Sequence, residues 1–181
     1  MMLGEGMKII IVRHGQSEAN AKKISQGKKD GWVDTSLTKK GRNQAKKIAQ
    51  RLRNEKIRII YSSDLKRAKE TAKEINKFHN VKIKLDKRLR DMLVGEDLEK
   101  FIKKIKSSFR DIKKEEGNAL VVAHGSSCLT LLAITTGSRK EGGKIFNKYK
   151  DNYCNTCVSI VERNGKKYKI KLIGCRKHLE G

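Results

Sequence analysis

Twice in this chain a short, wholly apolar run ends on a histidine followed by a glycine. Ile9-Ile10-Ile11-Val12 leads through Arg13 to His14-Gly15, and Ala119-Leu120-Val121-Val122-Ala123 leads to His124-Gly125. Each run is too short for a typical helix and too apolar for a strand with one face in water, so both read as central strands of a parallel sheet. Ligands of open α/β sheets bind beyond the carboxyl ends of such strands. Two strand-end histidines in an alternating α/β chain therefore point to one shared site.

The segments between and around these runs supply the helices and the remaining strands. Met1 to Gly6 has no pattern and reads as a short leader, open to disorder, before a strand that begins near Met7. The polar stretch from Ala21 to Ser36, broken by Gly27 and Gly31, reads as a long loop of the kind that often carries function. Thr38 is an N-cap candidate for a helix to about Asn54 with Ala45, Ile48, Ala49 and Leu52 on its apolar face. Ile57 to Tyr61 is a strand, and Ser62-Ser63-Asp64 offers caps to a helix lined by Leu65, Ala68, Ala72 and Ile75. Val81, Ile83 and Leu85 alternate as a half-exposed strand, and a helix is expected from about Glu96 to Glu116. Cys128 to Ile134 is apolar almost all round and reads as a core helix ended by Gly137. The tail reads as a hairpin, Cys157 to Glu162 and Tyr168 to Leu172 about an Asn164-Gly165 turn. His79 and His178 read as surface residues without partners.

A chain of 181 residues fits a single domain spanning 1–181, able to bury a core without disulfides or metal. Its 44 basic against 20 acidic residues, a formal charge of +24, predict an anion-attracting surface sensitive to salt. The basic residues are spread along the chain, and aromatic residues are only 5% of it, too few for base-stacking platforms. Nucleic acid is thus expected only as non-specific electrostatic binding. Cys128, Cys154, Cys157 and Cys175 lack the density of a secreted disulfide scaffold, and the Cys154-Cys157 pair has no second pair at zinc-ligand spacing. With no membrane-length apolar run and no signal-peptide layout, the expectation is a cytoplasmic protein with no membrane partner.

The residues around the two histidines suit phosphoryl chemistry. Such transfer needs mainly positioning and charge neutralisation, which Arg13, the Asn20 amide and Arg67 can supply without a metal or another cofactor. Arg67 falls in the first turn of its helix, an unfavourable place for a cation unless an anion lies nearby. A glycine after each histidine is expected to let the backbone approach a ligand closely.

In its motifs the chain resembles the histidine phosphatase superfamily, also called phosphoglycerate mutase-like. Arg13-His14-Gly15-Gln16-Ser17-Glu18-Ala19-Asn20 is similar to that family's opening signature, Asp34-Thr35-Ser36-Leu37-Thr38 with Gly41 to its next segment, and Ser62-Ser63-Asp64-Leu65-Lys66-Arg67-Ala68 with Thr71-Ala72 to a third. Val121-Val122-Ala123-His124-Gly125 and Asn155-Thr156-Cys157-Val158-Ser159 complete the series. The resemblance implies a three-layer α/β/α sandwich with a mostly parallel central sheet. It also implies that His14 is a nucleophile that becomes transiently phosphorylated, with Arg13, Asn20, Arg67 and His124 on the phosphoryl oxygens. Gln26-Gly27 matches a loop position that lines the substrate pocket, and Ser17 is a further hydroxyl candidate. Because a cationic His14 cannot attack whereas a cationic His124 can clamp, their pKa values are expected to be pushed apart.

At one point the chain departs from the family's pattern. Relatives carry a glutamate as proton donor before a long glycine-rich insertion, whereas here Leu89-Arg90-Asp91 is followed by only Met92 to Gly95 before the next helix. Asp91 is the positional match, one methylene shorter, and Glu96 is the reserve donor. The lost insertion implies an open site for phosphorylated small molecules or proteins. The expected activity is a metal-independent phosphomonoester phosphatase. A phosphohistidine phosphatase acting on proteins, a phosphoglycerate mutase, and a non-catalytic protein that binds phosphate or a nucleic-acid backbone are the alternatives. Neither the substrate nor the oligomeric state is legible.

Overall fold

The computed structural model describes residues 6–24, 27–28 and 31–180. Residues 1–5 of the expected leader and Gln26 lie outside them. A six-stranded sheet runs in the order β5 (Ile83–Leu85), β4 (Ile57–Ser62), β6 (Asn118–Ala123), β1 (Met7–Arg13), β7 (Val158–Asn164), β8 (Lys167–Cys175). The first four strands are mutually parallel, while β7 is antiparallel to β1 and β8 is antiparallel to β7.

Layering follows from the period-two alternation of β1. Ile9 and Ile11 point into one apolar cluster with Phe101 and Ile105 of helix α4 (Leu98–Ile112) and Leu129 and Leu132 of helix α5 (Gly125–Thr135). Ile10 and Val12 point the other way, onto Ile48 and Leu52 of α2 (Lys39–Leu52) and Ala72 and Ile75 of α3 (Lys66–Asn76). All four β1 residues are at most 1% exposed, so the run is apolar on both faces because both faces are covered. The fold is therefore the expected α/β/α sandwich. Among the described residues, no helix is long and apolar enough to cross a membrane.

Several elements differ from the sequence reading. A four-residue helix α1 (Glu18–Ala21) forms directly after the first histidine turn, because Ser17 and Asn20 close a capping box. The expected long loop contains the paired strands β2 (Gly27–Lys28) and β3 (Gly31–Trp32). α2 is capped by Thr38 as expected, its hydroxyl accepting from Gly41 N. The cap of α3 comes from elsewhere: the Asp34 carboxylate accepts from Lys66 N at 2.6 Å, while Asp64 is drawn away into a fork with Arg90. α4 starts two residues late, after the Asp97 cap. Helix α6 (Arg139–Tyr149) has no counterpart among the expected elements, since its few apolar residues are scattered among lysines. It packs on α5 at Gly142, where a Cβ would stand 2.9 Å from Ala133. The β7–β8 turn is Gly165-Lys166, one residue later than expected, with Gly165 at φ +62 as a type II′ hairpin requires.

Candidate active site

Parallel pairing of β1 with β6, register Arg13 against Ala123, brings the two histidines together at the carboxyl edge of the sheet. Their ring centroids are 5.0 Å apart, and His14 and His124 are 2% and 0% exposed. His14 Nδ1 lies 2.7 Å from the Gly15 carbonyl, which can only accept, so Nδ1 carries the proton. Nε2 then holds a lone pair and accepts from Arg67 Nε at 3.2 Å. That tautomer presents the lone-pair nitrogen to the guanidinium.

Arg67 is wholly buried and spends Nη1 on the Val33 carbonyl at 2.9 Å. Burial draws its pKa down to about 10, partly offset by Asp91 and Asp34. Arg13 donates through Nη1 to the Tyr153 carbonyl. His124 Nε2 pairs with Ser63 Oγ at 2.8 Å. Four buried side-chain nitrogens among the described residues have no hydrogen-bond partner, and three of them are Arg13 Nε, Arg67 Nη2 and His124 Nδ1. Unpaired buried polar groups cost about 1–3 kcal/mol each, so two guanidinium N–H groups and an imidazole nitrogen left without partners around His14 mark a place built for an anion.

Both site histidines are shifted in the same direction. Burial pushes His14 well below 6.5, and Arg67 and Arg13 push it further. Burial does the same to His124, followed by His14, Arg67, Arg13 and Arg90. Both imidazoles are neutral near pH 7, because burial disfavours the charged ring and two guanidinium groups repel its proton further.

Asn20 uses its amide oxygen on Ser17 N, Ser17 Oγ and Asn155 Nδ2, which leaves its NH2 end to offer to an anion. Ser17 itself is fully buried as the cap of α1, and reaches the site through Asn20. Gly27 stands in β2 opposite Trp32. Asp91 is partly buried at the amino end of α5, its Oδ1 accepting from Ser126 N at 3.1 Å. Burial raises its pKa against the pull of the Met92 and Ser126 amides and Arg13. Glu96 is instead committed to Leu93 N and to Lys104 Nζ at 2.9 Å.

Gly15 has a different reason from the one expected. A Cβ there would stand 2.6 Å from the Gly41 carbonyl, and one on Gly41 only 1.9 Å from the Gln16 carbonyl. These glycines let the start of α2 press on the histidine turn, a contact between backbones and not with a ligand. The turn is further gripped by residues of the motif segments whose contacts have no local signature in the sequence. Thr71 Oγ1 accepts from Gly15 N at 3.0 Å and donates to Arg67 O at 2.8 Å. Asn155 Nδ2 donates to His14 O at 3.0 Å, and Thr156, held at φ +55, donates its amide to Arg13 O. His178 is not an unpartnered surface residue: it contacts Thr156 Oγ1 and Arg51 Nη1, and burial and Arg51 draw its pKa down to about 4. His79 is likewise partly buried. A cleft of about 760 Å³ lies elsewhere, between α4, α5 and α6, lined by Leu98, Ile102, Ile134 and Phe146 among others, and none of the site residues line it.

A sheet edge that gathers two neutral imidazoles, two guanidinium groups and a half-buried carboxyl defines an enzyme for oxyanion esters. The chain belongs to the histidine phosphatase superfamily (branch 1), whose sequence model matches residues 9–111, and it is a phosphatase, a hydrolase of phosphomonoesters. A Hydrogenobacter thermophilus protein named provisionally as phosphoserine phosphatase 2 is 30% identical over 179 residues, covering 80% of this chain and 85% of that protein. A broad-specificity phosphatase of Saccharomyces cerevisiae is 28% identical over 211 residues, covering 96% and 87%. The crystal structure of phosphoglycerate mutase from Bacillus anthracis superposes with a TM-score of 0.80 at 22% identity, over 97% of this chain and 96% of that one, a likeness of fold.

Proposed function

We propose that this chain hydrolyses phosphomonoesters without a metal, by way of a phosphohistidine formed on His14. The observation that carries this reading is the trio of buried nitrogens without a hydrogen-bond partner, Arg13 Nε, Arg67 Nη2 and His124 Nδ1, around an imidazole whose Nε2 bears the lone pair.

Nε2 attacks phosphorus as the bond to the leaving oxygen breaks, and Asp91 gives that oxygen its proton. Arg67 Nε, no longer needed on Nε2, turns to a phosphoryl oxygen. Arg13, the Asn20 NH2 and His124 hold the others, where charge develops in the transition state. Bringing a dianion against His124 raises its proton affinity, so the separation of the two imidazoles arises on binding. Water then attacks the phosphohistidine, the Asp91 carboxylate takes its proton, and His14 and inorganic phosphate are released.

Glu96 is tied to Lys104, so the donor role falls to Asp91, whose raised pKa keeps it protonated to higher pH than an ordinary aspartate. Gly27 is assigned to the organic part of the substrate, since it pairs with Trp32 and Trp32 touches the segment bearing Asp91, while Gln26 is assigned there on the motif alone. Broad phosphomonoester use fits the similarity to the yeast phosphatase and the short 92–95 connection. A buried, tautomer-fixed nucleophile favours catalysis over simple phosphate binding. The test is His14→Ala assayed on an aryl phosphate with a chelator present: activity should vanish in the variant and persist in wild type, and the reading fails if the variant stays active.

A further inference from the structure

The proton donor sits in a stretch with no ladder to fix it. Between the 3-10 turn Lys87–Leu89 and α4 the chain has no regular structure, so side-chain bonds set where Asp91 lies. An aspartate reaches less far than a glutamate, and a misplacement of ~1 Å can cost ~100-fold in rate. The backbone on either side of this carboxyl must therefore be held.

Two carbonyls of that backbone are bonded. Ser127 Oγ donates to Arg90 O at 2.9 Å, and the indole Nε1 of Trp32 donates to Asp91 O at 3.0 Å. The guanidinium of Arg90 lies 4.6 Å over the same indole while its fork holds Asp64 at 2.7 and 2.5 Å. Lys104 Nζ, paired with Glu96, is 5.6 Å from the ring. A stacked ring with one N–H aimed at one carbonyl fixes a peptide more firmly than either contact alone.

The next two residues extend the hold. Val33 O accepts from Arg67 Nη1 at 2.9 Å, and the Asp34 carboxylate caps α3, the helix that carries Arg67. Trp32-Val33-Asp34 is thus a strap that ties the donor segment to the phosphate-binding arginine across the site.

We propose that Trp32 is a positioning residue for catalysis: its N–H fixes the Asp91 carbonyl, so that the adjoining carboxyl is presented to the leaving oxygen. This rests on Asp91 being the proton donor.

The experiment compares kcat/KM of wild type, D91N, W32F and W32F/D91N on an alkyl phosphate, glycerol 2-phosphate, and on p-nitrophenyl phosphate, whose leaving group needs little protonation. Phenylalanine keeps an aromatic ring under Arg90 while removing the N–H donor together with part of the indole's area. D91N should lose far more on the alkyl than on the aryl ester. W32F should lose roughly tenfold or more on the alkyl ester and under about twofold on the aryl ester. The double variant should be no worse than D91N, and the basic limb of the alkyl pH profile should move in W32F. Equal losses on both esters, no loss, or independent losses in the double variant overturn the role of Trp32 while leaving Asp91 as donor. If D91N itself shows no leaving-group selectivity, the donor assignment falls and Trp32's role with it. Should W32F fail to fold, benzothienylalanine at position 32, with sulfur in place of N–H, gives the same readout in the native shape.

Discussion

The Nε of Arg67 donates to Nε2 of His14 across 3.2 Å, while the opposite nitrogen of that imidazole donates to the Gly15 carbonyl at 2.7 Å. One guanidinium thereby marks the nitrogen that bears the lone pair and keeps a further N–H, Nη2, without a partner. Lysine cannot do this, because a single ammonium cannot reach Val33 O, His14 and a phosphoryl oxygen in one fixed fork. Arg67→Lys should lower kcat/KM by about 10²–10³-fold with the fold retained. Steady-state kinetics beside a circular-dichroism melt checks this.

Asn155 donates to both His14 O and Asn20 Oδ1. Aspartate would turn those donors into acceptors facing two acceptors, losing both bonds and adding repulsion. Asn155→Asp should therefore reduce kcat/KM about tenfold or more, as the turn and the Asn20 NH2 lose their aim. Asn155→Ala, which removes the bonds without the repulsion, should lose less, and the two variants compared on one substrate test the point.

The contact between Gly41 and Gln16 leaves no room for a side chain: a Cβ would stand 1.9 Å from a backbone oxygen. Gly41→Ala should destabilise the fold by about 3 kcal/mol or more, since backbone on both sides must move, and should cost activity through the displaced histidine turn. Denaturant unfolding measures the first effect and substrate kinetics the second.

Both site histidines have folded-state pKa values below 6.5, chiefly through burial. Above pH 6.5 they are neutral folded or unfolded and have no influence on the pH slope. Below it the unfolded chain takes up protons that the folded one refuses, so stability falls as pH drops from 6.5 toward the folded values. Each imidazole contributes a slope of up to about 1.4 kcal/mol per pH unit in that window. His178, drawn down to about 4, adds in the same direction, whereas Asp91, with its raised pKa, opposes the loss as it takes up its own proton. Unfolding free energy should decline from pH 7.5 to 5.5, and less steeply in His124→Gln. The acid limb of kcat/KM should lie below 6.5, because His14 stays neutral there.

How much of this was legible depended on how local each cause is. The buried runs before His14 and His124, the apolar faces of α2, α3 and α4, and the Thr38 cap were readable, because composition and period alone determine them. Arg13, Asn20, Arg67, Asp91 and the two histidines do converge on one edge of the sheet. Thr71 and Asn155 stand in the motif segments, but their bonds, like those of Tyr153 and Trp32, are not legible because they join backbone carbonyls and amides far along the chain, which leave no periodic trace. The Asp34 cap on α3 and the contacts of His178 are hidden for the same reason. α6 was missed because Ile145, Phe146 and Tyr149 are too few among lysines to mark a face.

The central claim is that His14 carries the phosphoryl group between substrate and water. Rapid acid-free quenching of a single turnover, followed by peptide mass spectrometry, tests it most directly. The account predicts one phosphoryl group on the peptide containing His14, lost on mild acid treatment and retained in base, and absent from His14→Ala. A wild-type enzyme that turns over with no labelled intermediate, or a label that survives in His14→Ala, would contradict it.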